Sequence, residues 1–174
     1  KEGDELIDVR LSDGNNHILL STKKGLSIRF PEKEIRPIGR SGIGVVGIRF
    51  KKEDDEVVGC EIIKPEEKEL TLFTVCKRGF GKRTTIEEYK VQHRGGKGII
   101  DMRIGIKNGE VVGAKLVSEK DELILTTKKG MIIRIKVSDV RIIGRNTVGV
   151  KLINLPEDDE ITDITVVEKG NDEE

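Results

Sequence analysis

Short runs in which apolar and polar residues alternate dominate the chain. In Leu26-Ser27-Ile28-Arg29-Phe30, Leu, Ile and Phe fall on one face and Ser and Arg on the other. A period of two is that of a half-buried β-strand, whose successive side chains point to opposite sides. A second such run, Ile18 to Thr22, precedes it, and Lys23-Lys24-Gly25 lies between them. Two strand-like runs joined by a short glycine-bearing segment predict a tight hairpin, with glycine supplying a positive φ. No window holds a helical apolar stripe over ten or more residues, and Thr85 to Val91 and Ser138 to Ile143 have room for a short helical turn at most. The pattern predicts an all-β chain.

The turn recurs. Lys23-Lys24-Gly25, Lys77-Arg78-Gly79 and Lys128-Lys129-Gly130 are separated by 54 and then 51 residues, and other positions fall into step with them. Four residues after each turn glycine stands an arginine (Arg29, Arg83, Arg134). Eleven after stand Arg36, Lys90 and Arg141, fifteen after Arg40, Arg94 and Arg145, and nineteen after Gly44, Gly98 and Gly149. Each unit closes on an acidic turn and a strand, as in Asp55-Glu56-Val57-Val58, Gly109-Glu110-Val111-Val112 and Asp159-Glu160-Ile161-Thr162. Units of about 50 residues with about four strands each predict propeller-like blades. The expected division is 17–63, 64–117 and 118–167 as blades, 1–16 as the end of a preceding blade, because Asp4 to Val9 matches the closing strand, and 168–174 as an acidic tail. On this reading the chain is part of a larger repetitive domain.

The 174 residues carry 37% charged, 35% hydrophobic and 3% aromatic residues, which predicts a lean aliphatic core beneath a charged surface. The longest apolar runs, such as Ile18 to Leu20, fall far short of the about 20 residues that span a bilayer, so neither membrane insertion nor secretion is expected. Cys60 and Cys76 lie in strand-like runs without a CxxC spacing, which predicts buried free thiols, no disulfide, no metal site and a reducing, cytoplasmic setting. Net charge is zero, but the charges are separated: Cys76 to Arg103 holds eight basic residues against three acidic, and Pro156 to Glu174 nine acids against one lysine. Such asymmetry points to an interaction surface and an acidic end.

Motifs for catalysis are absent or lack their context. Gly42-Ile43-Gly44-Val45-Val46-Gly47 spells G-x-G-x-x-G, yet β-branched residues follow where a dinucleotide site needs a helix. Gly95-Gly96-Lys97-Gly98 lacks the Ser or Thr of a phosphate loop. His17 and His93 have no nucleophile partner, and Tyr89 reads as an anchor in a connector. No catalytic residue, metal or cofactor is expected. The repeated cations instead predict a positive track for an extended polyanion held through its phosphates, and the scarcity of aromatics favours duplex over single strands. A propeller-like module docking an acidic protein is the alternative.

Gln92-His93-Arg94-Gly95-Gly96-Lys97-Gly98, followed by Ile99-Ile100, closely resembles the Q-R-R-G-G-K-G box of the C-terminal domain of bacterial DNA gyrase A subunits. Lys77-Arg78-Gly79-Phe80-Gly81-Lys82-Arg83-Thr84 with Glu88-Tyr89, Arg36-Pro37-Ile38-Gly39-Arg40, and Ile143 to Val150 resemble that domain too. The resemblance implies a β-pinwheel that binds and wraps duplex DNA within an ATP-dependent type II topoisomerase, assembled as a heterotetramer with the B subunit in the bacterial cytoplasm. His93 replaces the second box residue, and the copy's place before one further unit resembles a degenerate box in a late blade, so the chain is expected to span about the last three blades. Topoisomerase IV carries similar blades and is the near alternative. The DNA-binding residues implied are Gln92, His93, Arg94, Lys97, Lys77, Arg78, Lys82, Arg83, Arg29, Arg40, Lys24, Lys129, Arg134 and Arg145.

Overall fold

Each basic-basic-Gly turn closes an antiparallel hairpin. In the computed structural model, which describes residues 3–51 and 53–169, the strands are β1 His17–Thr22, β2 Leu26–Pro31, β3 Val57–Ile63, β4 Thr71–Cys76, β5 Phe80–Thr85, β6 Ile99–Ile100, β7 Val111–Val117, β8 Glu122–Thr127, β9 Ile132–Lys136, β10 Val150–Lys151 and β11 Ile161–Val167. The hairpins are β1–β2, β4–β5 and β8–β9, and the closing strand of each unit pairs with its first: β3 with β1, β7 with β4, β11 with β8. Among the described residues helix is confined to single 3₁₀ turns, Glu32–Glu34, Ile86–Glu88 and Val137–Asp139; the second and third fall at the expected short turns, and the first was not expected. Residues 4–12 form no strand, and Leu6 is 84% exposed, so the likeness of Asp4 to Val9 to a closing strand is not realised in backbone pairing. Alternation alone does not make a strand when no open edge receives it.

The units exchange strands. The sheet orders are β3-β1-β2-β6, β10-β5-β4-β7 and β11-β8-β9, so the fourth strand of the first sheet comes from the second unit and that of the second sheet from the third. Leu26 pairs with Ile100 and Ser27 with Ile99, while Val150 pairs with Gly81 and Lys151 with Phe80. Among the described residues β9 has no fourth strand, and Ile132 on it is 72% exposed. Val45 and Val46, at the positions of Ile99–Ile100 and Val150–Lys151, lie exposed outside any sheet.

The apolar cores also lie between units. Phe73, Val75 and Val117 of the second sheet pack with Leu123, Leu125, Ile161 and Ile164 of the third, and Leu19 and Ile63 of the first with Leu72, Ile86 and Ala114 of the second. Each fully buried Leu, Ile, Val or Phe contributes about 1.5–3 kcal/mol, so a single sheet face left uncovered would forfeit most of its stabilisation.

The turn glycines are pressed by the next unit. Gly25 has φ +81°, and a Cβ there would lie 2.1 Å from the Met102 carbonyl oxygen. That oxygen is backbone and cannot swing away. Gly130 has φ +85° with nothing within 4 Å. Gly130→Ala should therefore cost only the left-handed penalty, about 1–2 kcal/mol, whereas Gly25→Ala should cost clearly more because the first and second units must part. Chemical-denaturation midpoints of the two variants check this; equal losses would show that strand exchange does not set the spacing at Gly25.

Candidate nucleic-acid interface

A cation paired with a carboxylate of its own protein is partly neutralised toward a phosphate, and one that donates to backbone carbonyls keeps its charge but has fewer donors left to offer, so the partners of the repeated basic residues bear on which of them a polyanion can meet. At each hairpin turn the closing acidic turn of the same unit lies against the basic pair. Lys23 pairs with Glu56 at 3.2 Å and Lys24 with Asp54 at 2.6 Å, while the Lys24 N–H donates to Asp55 Oδ1. Lys77 pairs with Glu110 at 3.1 Å, Lys128 with Glu160 at 4.0 Å, and Lys129 with Asp158. Lys24 also reaches Glu110 of the next unit at 2.8 Å, and those hydrogen bonds raise its pKa and, with Lys77, lower that of Glu110. Arg78 escapes because its unit offers Asn108-Gly109 where the others offer Asp-Asp: its side chain is exposed and has no partner among the described residues.

The arginines four and fifteen residues beyond the turn glycine bind neighbouring units. Arg29 donates to His17 Nδ1 and to the Ile86 carbonyl of the second unit, and Arg83, buried, donates to the Val140 carbonyl of the third at 2.7 Å and pairs with Glu119. Arg134, with no following unit against it among the described residues, pairs with Glu122 of its own hairpin. The later arginine reaches backwards: Arg94 donates to the Glu34 and Val46 carbonyls of the first unit at 3.2 and 2.7 Å, and Arg145 to the Ile100 carbonyl of the second. Their backbone N–H groups bind Glu34 and Glu88, and the first of these bonds is the main cause of the lowered pKa of Glu34. Arg40 is exposed without a partner among the described residues.

The box-like segment folds onto the first unit. Gly95 N–H donates to the Gly47 carbonyl and Arg49 N–H to the Gly96 carbonyl, and a Cβ on Gly98 would lie 2.7 Å from the Ser27 carbonyl oxygen. These glycines admit the close approach of the protein's own backbone. Gln92 is half-buried, with an Nε2 atom that has no partner. His93 is fully exposed, with Nδ1 3.1 Å from Glu34, and Lys97 is exposed and unpaired among the described residues. Lys82 departs furthest from expectation: its side chain is 0% exposed and pairs with Asp101 at 2.9 Å, so it lies in the core and out of reach of DNA. Arg83 is likewise buried.

One repeated position is free in every unit. Arg36, Lys90 and Arg141 are exposed, and their side chains have no partner among the described residues. Each lies just past a 3₁₀ turn. The spacing alone marked these three as repeated. What sets them apart from the paired cations is that no carboxylate or carbonyl among the described residues holds their side chains, which depends on how the chain packs. Cys60 and Cys76 are free thiols, and Cys76 is pushed up to about 12 by burial and the charge of Asp101, which leaves it unreactive.

The family model "DNA gyrase C-terminal domain, beta-propeller" matches residues 16–64, 71–118 and 121–168. The chain belongs to that family. It is similar to the DNA gyrase A subunits of Kosmotoga olearia, with 44% identity over 95% of this chain and 20% of that protein, and of Staphylococcus aureus, with 41% identity over 100% and 19%. The chain thus spans about a fifth of the length of these curated relatives. Among solved structures it is similar to the C-terminal domain of DNA topoisomerase IV, with TM-score 0.86 and 28% identity over 92% of this chain and 49% of that one. It is also similar to a DNA gyrase A C-terminal domain, with TM-score 0.78 and 27% identity over 87% and 50%. The gyrase A likeness and the blade architecture expected from the repeat both hold.

Two outcomes test this gyrase-family chain's division of labour among cations. Arg94→Ala should lower stability by about 1–2 kcal/mol, because the Glu34 and Val46 carbonyls lose the donor that ties the second unit to the first, whereas Lys97→Ala should stay within about 0.5 kcal/mol; unfolding midpoints decide. The second concerns pH. Burial and the Arg29 charge lower the His17 pKa, and Nδ1 accepts from Arg29 at 3.1 and 2.9 Å. The unfolded chain therefore binds the proton first, so this stabilisation is complete above about pH 6.5 and lost as pH falls through the folded value. His17→Gln should flatten that part of the stability curve, as denaturant unfolding at a series of pH values would register.

Proposed function

We propose that this chain is a duplex-DNA-binding and DNA-wrapping segment of a gyrase A subunit, with the phosphate backbone following Arg36, Lys90 and Arg141 across successive units. Arg40, Arg78 and Lys97 add to that track. The observation that carries the reading is the recurrence of one exposed, unpaired cation at the same place in all three units, in a chain of the gyrase C-terminal family. Three copies at a fixed repeat suit a long polyanion better than a compact ligand, and contacts to phosphate carry no sequence information. In this reading the domain contributes no catalytic residue. It presents wrapped DNA to an ATP-hydrolysing type II topoisomerase core built with the B subunit, in the bacterial cytoplasm. No helix among the described residues is long and apolar enough to cross a membrane.

Affinity for unrelated duplexes should be similar and should fall steeply with salt. Replacing Arg36, Lys90 and Arg141 together by Gln should leave the fold intact and reduce the slope of log K against log salt by about 0.9 for each phosphate no longer neutralised. Fluorescence-anisotropy titrations at several salt concentrations give both quantities. A triple variant with unchanged affinity and slope would place the track elsewhere.

A further inference from the structure

The second unit differs from its neighbours in its interior. Thr74, Lys82, Thr84, Tyr89 and Asp101 occupy the places held by Leu20, Ile28, Phe30, Ile35 and Gly47 in the first unit and by Leu125, Ile133, Ile135, Val140 and Leu152 in the third. An apolar set has been exchanged as a whole for a polar one. All five side chains are buried and joined. Lys82 Nζ donates to Asp101 Oδ1 at 2.9 Å and to Thr84 Oγ1 at 2.6 Å, Thr74 donates to Asp101 Oδ2 at 2.8 Å, and the Tyr89 hydroxyl donates to Asp101 Oδ1 at 2.5 Å. Burial and the Asp101 charge together raise the Tyr89 pKa and keep the hydroxyl protonated as a donor.

The network's place in the chain gives it a purpose. Tyr89 is the last residue before the segment that carries Lys90, His93, Arg94 and Lys97, and Asp101 is the first after β6. The Tyr89–Asp101 bond thus closes the base of that segment, and Lys82 supplies the counter-charge that lets the carboxylate stay buried. The same aspartate fastens the segment outward: its N–H donates to the Gly25 carbonyl in the first unit, and Thr84 donates to the Ile143 carbonyl in the third. In the sister units an Ile opposite Gly47 and a Val opposite Leu152 offer no directional bond at the corresponding base.

We propose that Tyr89, Asp101 and Lys82 form a buried cinch that holds the 90–100 segment in one conformation, so that its exposed cations meet a polyanion without first being ordered. The three are positioning residues and touch no ligand. The inference rests on the DNA-binding reading above for its ligand, but not for its structural content. Holding a loop in its bound shape strengthens binding by removing an ordering cost rather than by adding an interaction, and this distinguishes it experimentally from loss of a cation.

Tyr89→Phe removes one hydroxyl and no charge. Measured on the full chain with duplex DNA, it should weaken affinity on the order of 3- to 10-fold, the effect expected of one lost hydrogen bond. The slope of log K against log salt should stay unchanged, whereas Lys97→Ala should reduce it. Amide hydrogen exchange over residues 92–98 should quicken, with other segments unaltered. Wild-type affinity and exchange in Tyr89→Phe would overturn the proposal, as would a reduced salt slope. If that variant does not fold, the triple Lys82→Ile, Tyr89→Val, Asp101→Leu installs the third unit's residues and should show the same loss at unchanged slope. Wild-type binding and exchange in the triple, or failure of both variants to fold, overturns the cinch. If the unmodified chain shows no salt-dependent duplex binding, the DNA reading falls and the exchange measurement alone decides the cinch.

Discussion

An open strand edge exposes a row of unpaired N–H and C=O groups, and β2 and β5 each present such an edge to the following unit. Filling that edge with two residues from the next repeat, Ile99–Ile100 or Val150–Lys151, satisfies the backbone and fixes the distance between units at once. Most of the remaining architecture follows from this. The donated strand brings Met102 against Gly25 and Ile153 against Gly79, which demands glycine at both turns. It also stacks neighbouring sheets closely enough for Phe73 and Val75 to share a core with Leu123 and Leu125. The arginine staples then close the seam from both sides, with Arg29 and Arg83 reaching forward and Arg94 and Arg145 reaching back.

That seam explains why a strongly repeated set of basic residues is mostly spent internally. A guanidinium offers five donors in a fixed fork, well suited to the carbonyls that line the seam between units. The first lysine of each hairpin turn faces a glutamate of the acidic turn that closes the same unit, so the repeat places opposite charges side by side in each copy. The cation beyond the 3₁₀ turn escapes both fates because its side chain is exposed and no carboxylate or carbonyl among the described residues holds it. Net charge near zero is thus compatible with a local positive track.

Much of the fold was legible in the sequence, because alternation, turn glycines and a period near 50 residues are local properties. The hairpins and two of the three short helical turns are found where they were expected, and Cys76 is buried as expected whereas Cys60 is only half-buried. Strand exchange was not legible: a two-residue strand such as β6 carries no period, and nothing local says which sheet it joins. The repeated cations were legible as a set, and their partners were not. Periodicity selects positions that matter in every unit, but a staple and a ligand-binding cation repeat equally well. Lys82 shows the difficulty. Its sequence neighbours are a glycine and an arginine in a basic stretch, and only the meeting of Asp101 and Tyr89 from beyond the hairpin reveals that it is a core residue.

Repetition also frees individual units to diverge. The first and third units carry apolar side chains or glycine at the five positions where the second carries its ionic network, and the same strand exchange joins the first unit to the second and the second to the third. The network is therefore dispensable for forming a unit of this kind. Burying a lysine and an aspartate offers no assured gain in stability over well-packed apolar residues, since desolvation offsets their attraction. What polar bonds supply and apolar packing does not is direction. A hydrogen bond from Tyr89 to Asp101 specifies one relative position of the two ends of a segment, where Val140 and Leu152 tolerate a range. The unit bearing the box-like segment is the one whose core has given up apolar packing for that geometric definition.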